Sequence, residues 1–309
     1  MKFRLTAVIV LALCLSNAFA DEGMWLLGNL KKNKQTDRVM RELGLQMPVN
    51  KLYNPKKPCL ADAVVSFGGF CSGVVVSEDG LVFTNHHCGF SSIQQHSSVE
   101  HDYLKDGFVA RSLEEELPNP ELYVRFLLRT ENVTKRVLSA AKHAKTESER
   151  RVAVDSVMNV IGMEVSEKDS TLTGIVDAYY AGNEFWLSVY RDYNDVRLVF
   201  APPSSVGKFG WDTDNWMWPR HTGDFSVFRV YAGPDNKPAD YAPENRPYKA
   251  EKFLKISLGG YDEGDFAMIM GFPGSTSRYM TSFEIDRMLD IENPQRIFIR
   301  GERQAILKE

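Results

Sequence analysis

The sequence predicts a mainly β protein with a helical insertion, followed by the start of further structure. Three observations carry this reading. Short runs of β-branched and aromatic residues recur along the chain, each bounded by Gly, Pro, Asn or Asp. Between Val133 and Gly162 the apolar spacing changes to that of a helix. No internal repeat or low-complexity tract interrupts the pattern.

The 309 residues are room for about two domains. Hydrophobic residues make up 43% and charged residues 25%, values ordinary for a soluble globular protein. A net charge of −4 with no basic stripe argues against a nucleic-acid partner. Residues 1–20, MKFRLTAVIVLALCLSNAFA, read as a signal peptide. Lys2 and Arg4 precede an apolar run from Leu5 to Leu15, and Ala18-Phe19-Ala20 offers a small-residue cleavage site. That run is too short for a spanning helix, and no later segment is apolar enough to cross a membrane. The expected location is therefore exported, in the periplasm or at the cell surface. Export places Cys59, Cys71 and Cys88 in an oxidising compartment, where an odd count allows at most one internal bridge.

The elements follow in order. Gln35 to Leu43 predicts a short helix stopped by Gly44. Ala63–Phe67 and Ser72–Val76 predict strands; Ser77-Glu78-Asp79-Gly80 is a turn, and Leu81–Thr84 returns as a third strand. Leu122–Leu128 is a further strand. The insertion, about residues 133–163, includes Thr146-Glu147-Ser148-Glu149, which fits a capping box, and apolar positions at Val154, Val157, Met158 and Ile161. Strands resume at Phe185–Tyr190 and Val196–Phe200, the latter ended by Pro202-Pro203. A loop rich in Gly and Trp spans Gly207 to Gly223, and Phe225–Tyr231 is another strand. Ile256 to Gly274 reads as strand, glycine-rich turn and strand. Thr281 to Glu309 is charged and helix-compatible.

Four of the six histidines, His86, His87, His96 and His101, fall close together. With Cys88 they offer zinc-type ligands, so an exported metal-binding protein is one reading. The spacing disfavours it, because no HExxH or paired CxxC is present and adjacent side chains at a strand end point to opposite faces. A second reading is structural, with the rings satisfied by local hydrogen bonds. The third is a protease base. Cys71-Ser72-Gly73, the strand Leu81–Thr84 and then Asn85-His86-His87-Cys88-Gly89 resemble the hairpin on which a chymotrypsin-type barrel presents its catalytic histidine. That match makes His87 the base, pairs Cys71 with Cys88 and leaves Cys59 free. A base needs a carboxylate to fix its tautomer, and Asp224, opening an apolar strand, is the candidate. On this reading His87 faces Asp224. His86 points away to a structural partner such as a backbone carbonyl.

Longer runs carry a closer resemblance. Asp21-Glu22-Gly23-Met24-Trp25-Leu26, Thr84-Asn85-His86-His87-Cys88-Gly89, Ala201-Pro202-Pro203-Ser204-Ser205-Val206-Gly207-Lys208-Phe209-Gly210, the stretch Asp212-Thr213-Asp214-Asn215-Trp216-Met217-Trp218-Pro219-Arg220-His221-Thr222-Gly223-Asp224-Phe225, and Gly271-Phe272-Pro273-Gly274 resemble the bacterial dipeptidyl-peptidase VII and XI family. Trp211 departs from the motif, where a small residue is usual. The resemblance implies an exported serine exopeptidase with a chymotrypsin-like double β-barrel. It places the first barrel at 21–250, the start of the second at 251–280, and the opening of a truncated helical domain at 281–309. It implies oligopeptide substrates cut two residues from a free N-terminus, with Asn215 and Trp216 binding the substrate ammonium. No cofactor and no metal is implied, and a homodimer of a full-length form is left open. Downstream of Asp224 there is no Gly-x-Ser-Gly turn to supply the nucleophile. The chain therefore reads as the N-terminal part of such an enzyme, inactive alone. The rival within the same fold is a non-catalytic peptide-binding module on a degenerate barrel.

Overall fold

A computed structural model describes residues 24–30, 33–215, 217–274 and 280–309. Residues 1–20, read as a signal peptide, lie outside the described residues, as do Trp216, Ser275 and Ser277. The chain forms two units, one ending at Phe272 and the other beginning at Pro273.

In the first unit, eleven strands form one antiparallel sheet: β1 (Val64–Phe67), β2 (Cys71–Val75), β3 (Leu81–Thr84), β4 (Phe108–Val109), β5 (Leu117–Pro118), β6 (Val124–Asn132), β7 (Leu172–Tyr179), β8 (Glu184–Tyr193), β9 (Asp195–Ala201), β10 (Ser226–Ala232) and β11 (Arg246–Pro247). The main path runs β4-β9-β10-β3-β2-β1-β6-β8-β7, with β5 also on β9 and β11 on β10. Its helices include α1 (Lys34–Glu42), α2 (His86–His96), α3 (Thr134–Ala140), α4 (Glu147–Lys168) and the single turn α5 (Ser204–Gly207). The architecture is thus mixed, with helices on an antiparallel sheet. Among the described residues the path is open, and no pairing joins β4 to β7.

The strands that place the site were legible from their turns. Gly68 and Gly69 take φ of +62° and +78° between β1 and β2, a left-handed backbone that glycine adopts without steric cost. Ser77 Oγ accepts from the N–H groups of Asp79 and Leu81, which closes the turn between β2 and β3. Phe67, Val75, Val82, Phe228 and Val230 form the main core beneath these strands, joined by Cys88 and Ile93 of α2.

The insertion has its own core. Val137, Ile161 and Val165 pack on Val176, Phe185, Leu187 and Val189 of β7 and β8. Only half of the expected capping box at α4 is made. Thr146 Oγ accepts from the Glu149 N–H, but the Glu149 carboxylate accepts from Lys145 N–H rather than from Thr146. Helix and strand meet at two glycines, since a Cβ on Gly162 would lie 2.7 Å from the Gly174 carbonyl oxygen.

Two expectations are corrected. Ile256 to Gly274, read as a strand, a turn and a strand, carries no strand. A strand needs a neighbour for its backbone groups, and here ladder-like contact is limited to isolated bonds such as Leu254 N–H to the Val75 carbonyl. Ile256, Leu258 and Ile269 are accordingly exposed. The histidine doublet, expected at a strand end, instead opens helix α2.

The second unit holds α6 (Ser282–Arg287), a π-helical turn at Met288–Glu292 and α7 (Asn293–Lys308). Thr281 and Glu284 complete a reciprocal capping box at its start. Among the described residues no helix is long and apolar enough to cross a membrane.

Candidate active site

The site begins with strand register. β3 and β10 are antiparallel neighbours with Thr84 opposite Ser226. The residues just after Thr84 and just before Ser226 therefore meet at one edge. Asn85 is the junction. Its Nδ2 donates to the Asp224 carbonyl at 3.1 Å and to Oδ2 at 3.4 Å, and its own carbonyl accepts from Ser226 Oγ at 2.8 Å.

Helix α2 starts immediately afterwards, and Asp224 caps it from the segment just before β10. Its Oδ1 accepts from the His87 backbone N–H at 3.0 Å, while Oδ2 lies 2.7 Å from His87 Nδ1. One carboxylate thus holds both the main chain and the ring of the same residue. A carboxylate can only accept, so Nδ1 carries the proton and Nε2 is left as the acceptor. The His87 side chain is 60% exposed and that of Asp224 15%, so the basic nitrogen sits on the open side of the pair.

A disulfide joins Cys71, at the start of β2, to Cys88 in the first turn of α2. A His87 ring nitrogen and the two sulfurs all lie within 4.8 Å of one another. This is the one set of three metal-type ligands among the described residues, and two of its members are bonded to each other. The other clustered histidines point elsewhere. His96 Nε2 meets Asn119 Oδ1 at 3.3 Å, and His101 stacks on Tyr103.

Successive helical residues point about 100° apart, so His86 turns into the protein where His87 turns out. His86 is fully buried, and burial pushes its pKa below the usual imidazole value; the Asp224 charge opposes this and Lys208 adds to it. The expected backbone carbonyl, that of Pro202, is present as a neighbour of the ring, yet neither ring nitrogen makes a hydrogen bond among the described residues.

The loop after β9 returns to this point. Thr222 Oγ donates to the Val206 and Gly207 carbonyls at 3.3 and 3.2 Å, and Gly223 N–H donates to Val206 at 3.0 Å. These bonds close a neck at 206–207 and 222–223, directly before Asp224. The excursion between carries Asn215, which is exposed. Trp211 and Trp218 are also exposed, and Lys208 Nζ lies 5.1 Å from the Trp211 ring. The structure therefore brings together His87, Asp224, Cys71 and Cys88, with Asn215 on the loop anchored beside them. Sequence reasoning missed Asn85 and Gly207. The place of Asn85 next to the doublet was an available signal for the first; nothing local marks the second.

Comparison with known proteins adds to this geometry. The family described as Peptidase S46 matches residues 20–309. Dipeptidyl-peptidase 7 of Porphyromonas endodontalis is 52% identical over 311 aligned positions, covering 100% of this chain and 38% of the relative. The Asp/Glu-specific dipeptidyl-peptidase of Porphyromonas gingivalis is 47% identical, covering 99% and 43% respectively. The crystal structure of Porphyromonas endodontalis DPP11 in complex with dipeptide Arg-Glu superposes with a TM-score of 0.81 at 43% identity, covering 90% of this chain and 40% of that one. The chain thus spans about two fifths of the length of the curated relatives it matches.

Proposed function

The chain belongs to the Peptidase S46 family, and we propose that it carries the base and orienting half of an exported serine-type dipeptidyl-peptidase. His87 is the general base, Asp224 its orienter, and Asn215 with Trp216 holds the ammonium of a free peptide N-terminus. The fold completes a chymotrypsin-like double barrel, with the first barrel at 21–250, the second opening at 251–280 and a helical domain from 281. The protein works in the periplasm or at the cell surface.

The observation that carries the reading is the two-point grip of Asp224 on His87, through the ring nitrogen at 2.7 Å and the backbone N–H at 3.0 Å. It leaves Nε2 free to take the proton of a serine hydroxyl as the oxygen attacks the scissile carbonyl. The imidazolium is stabilised by the Asp224 carboxylate and returns its proton to the departing amine. Water then repeats the sequence on the acyl-enzyme, releasing the dipeptide and the serine. The serine and the oxyanion donors belong to the second barrel.

The test compares the 309-residue chain with a form extended to the length of the relatives, on fluorogenic dipeptide substrates. The extended form should release dipeptides from free N-termini, and the short chain should release none. His87→Ala should lower kcat by about 10³-fold or more. Equal cleavage of N-acetylated peptides, or full activity in His87→Ala, would refute the assignment.

A further inference from the structure

His86 has no role in the chemistry above, yet it is a fully buried imidazole with both nitrogens unpartnered among the described residues. A phenylalanine would fill the same space and leave no buried polar atom unsatisfied. Two contacts show what the ring does. It precedes His87 in the first turn of α2, so a shift of one carries the other. On its other side it lies against Gly207. A Cβ there would stand 2.3 Å from His86 Cγ, 2.4 Å from Cδ2 and 2.8 Å from Nδ1. Only a glycine admits the ring at this distance, and Gly207 is part of the neck that Thr222 and Gly223 close before Asp224.

We propose that His86 is a positioning residue that keys the neck of the 207–223 loop to the first turn of α2. It thereby holds the segment carrying Asn215 in register with the His87–Asp224 pair, and it releases that register on protonation. The proposal rests on the functional reading above for what the register serves, but not for its geometry.

The charges around the ring explain the release. Asp224, at the foot of β10, favours a charged ring; Lys208, from the neck, and His87, from α2, oppose it. The neighbouring Phe90 ring, 6.4 Å away, adds no charge. A neutral His86 makes no claim on the Asp224 carboxylate, which then serves His87 and Asn85. A protonated His86 is a cation drawn to the same carboxylate, and in its seat only the Pro202 carbonyl, which also favours the charged ring, stands near it, with no hydrogen bond made by either ring nitrogen among the described residues. Either outcome, movement toward Asp224 or movement toward water, lifts the ring off Gly207.

The experiment uses histidine-labelled protein and the proton on His87 Nδ1, which its bond to Asp224 shifts far downfield. With six histidines in the sequence, the ring signals can be assigned one by one. In the 309-residue chain, Gly207→Ala should abolish or shift this resonance at neutral pH while circular dichroism stays native. His86→Phe, which keeps a ring but cannot be protonated, should hold the resonance to about ten-fold higher acidity than the unsubstituted chain. In the extended form, Gly207→Ala should lower kcat about 100-fold, the loss expected when a reacting group is displaced by about an ångström, with less change in KM. An unaltered resonance in Gly207→Ala, or an acid dependence in His86→Phe equal to that of the unsubstituted chain, would overturn the proposal. If Gly207→Ala fails to fold, the His86→Phe titration decides alone. If the extended form lacks peptidase activity, the functional reading fails while the resonance still decides the key.

Discussion

Reduction of the Cys71–Cys88 bridge separates two contributions to the site that are otherwise entangled. The bonded cysteines are 17 residues apart. The loop-closure relation for a ring of that size gives about 3 kcal/mol of stabilisation at 25 °C. Reduction without substitution removes that constraint and leaves both sulfurs in the protein, so no cavity contributes. The Cys71→Ala/Cys88→Ala double variant should lose more, because Cys88 is only 5% exposed and its sulfur fills core space. The assay is urea unfolding with and without a phosphine reductant, with a thiol count that must rise by two. The dyad itself should survive reduction in the native state. Asn85, Ser226 and the Asp224 cap hold the start of α2 independently of the bridge. A fully reduced chain whose stability falls by less than about 0.5 kcal/mol would refute the entropic account. Loss of the His87–Asp224 proton signal before unfolding would show that the bridge, not the carboxylate, positions the ring.

Gly162→Ala should destabilise the insertion by about 1–3 kcal/mol despite the gain in helix propensity, because the new methyl meets the Gly174 carbonyl, a backbone atom of β7; a stabilised variant in thermal unfolding would contradict that packing. Asp195→Asn should cost about 3 kcal/mol or more, since it removes the charge that pairs with Arg197 in a fully buried site where Asn245 also donates to the same carboxylate; urea titration measures it, and a loss below about 1 kcal/mol would mean the pair is dispensable. Stability should also depend on pH through His86. Its native pKa is lowered, so between that value and the unfolded value of about 6.5 the unfolded chain binds more protons, and stability falls with falling pH by at most about 1.4 kcal/mol per unit. Above that window the contribution is complete, and His86→Phe should flatten the slope; an identical slope in the variant would assign the titration elsewhere.

Strand β3 was read from the sequence with its observed limits, and β1 and β2 to within a residue, because each is bounded by glycine turns whose backbone requirement is local. The pairing of His87 with Asp224 was legible for a different reason, since the His-Cys hairpin is recognisable and calls for a carboxylate, which singles out the Asp before a later apolar strand. Helix α2 was not legible. His86 to His96 has a glycine inside it and no side-chain cap of its own. What stabilises it lies far along the chain: the Asp224 carboxylate, the Cys71 sulfur and the core contacts of Ile93. The reverse failure occurred at Ile256 to Gly274, where strand-like composition met no neighbouring strand, and composition does not report whether a partner is present. The seat of His86 on Gly207 leaves no pattern at all, because a close approach to a missing Cβ is a fact of tertiary structure.

The dyad also sets an order of events in time. Its two residues are 137 positions apart, and the strands they adjoin, β3 and β10, are neighbours only after β9 has delivered the chain back across the sheet. Contacts of such sequence separation form late, since the entropy of closing the intervening loop must be met first. Until β10 docks, helix α2 lacks the carboxylate that caps it and His87 has nothing to fix its tautomer. A nascent or half-refolded chain therefore has no polarised base, whatever local structure the hairpin has already gained. Refolding followed at the His87–Asp224 proton should lag behind refolding followed by far-ultraviolet dichroism, and the lag measures the docking of a single strand.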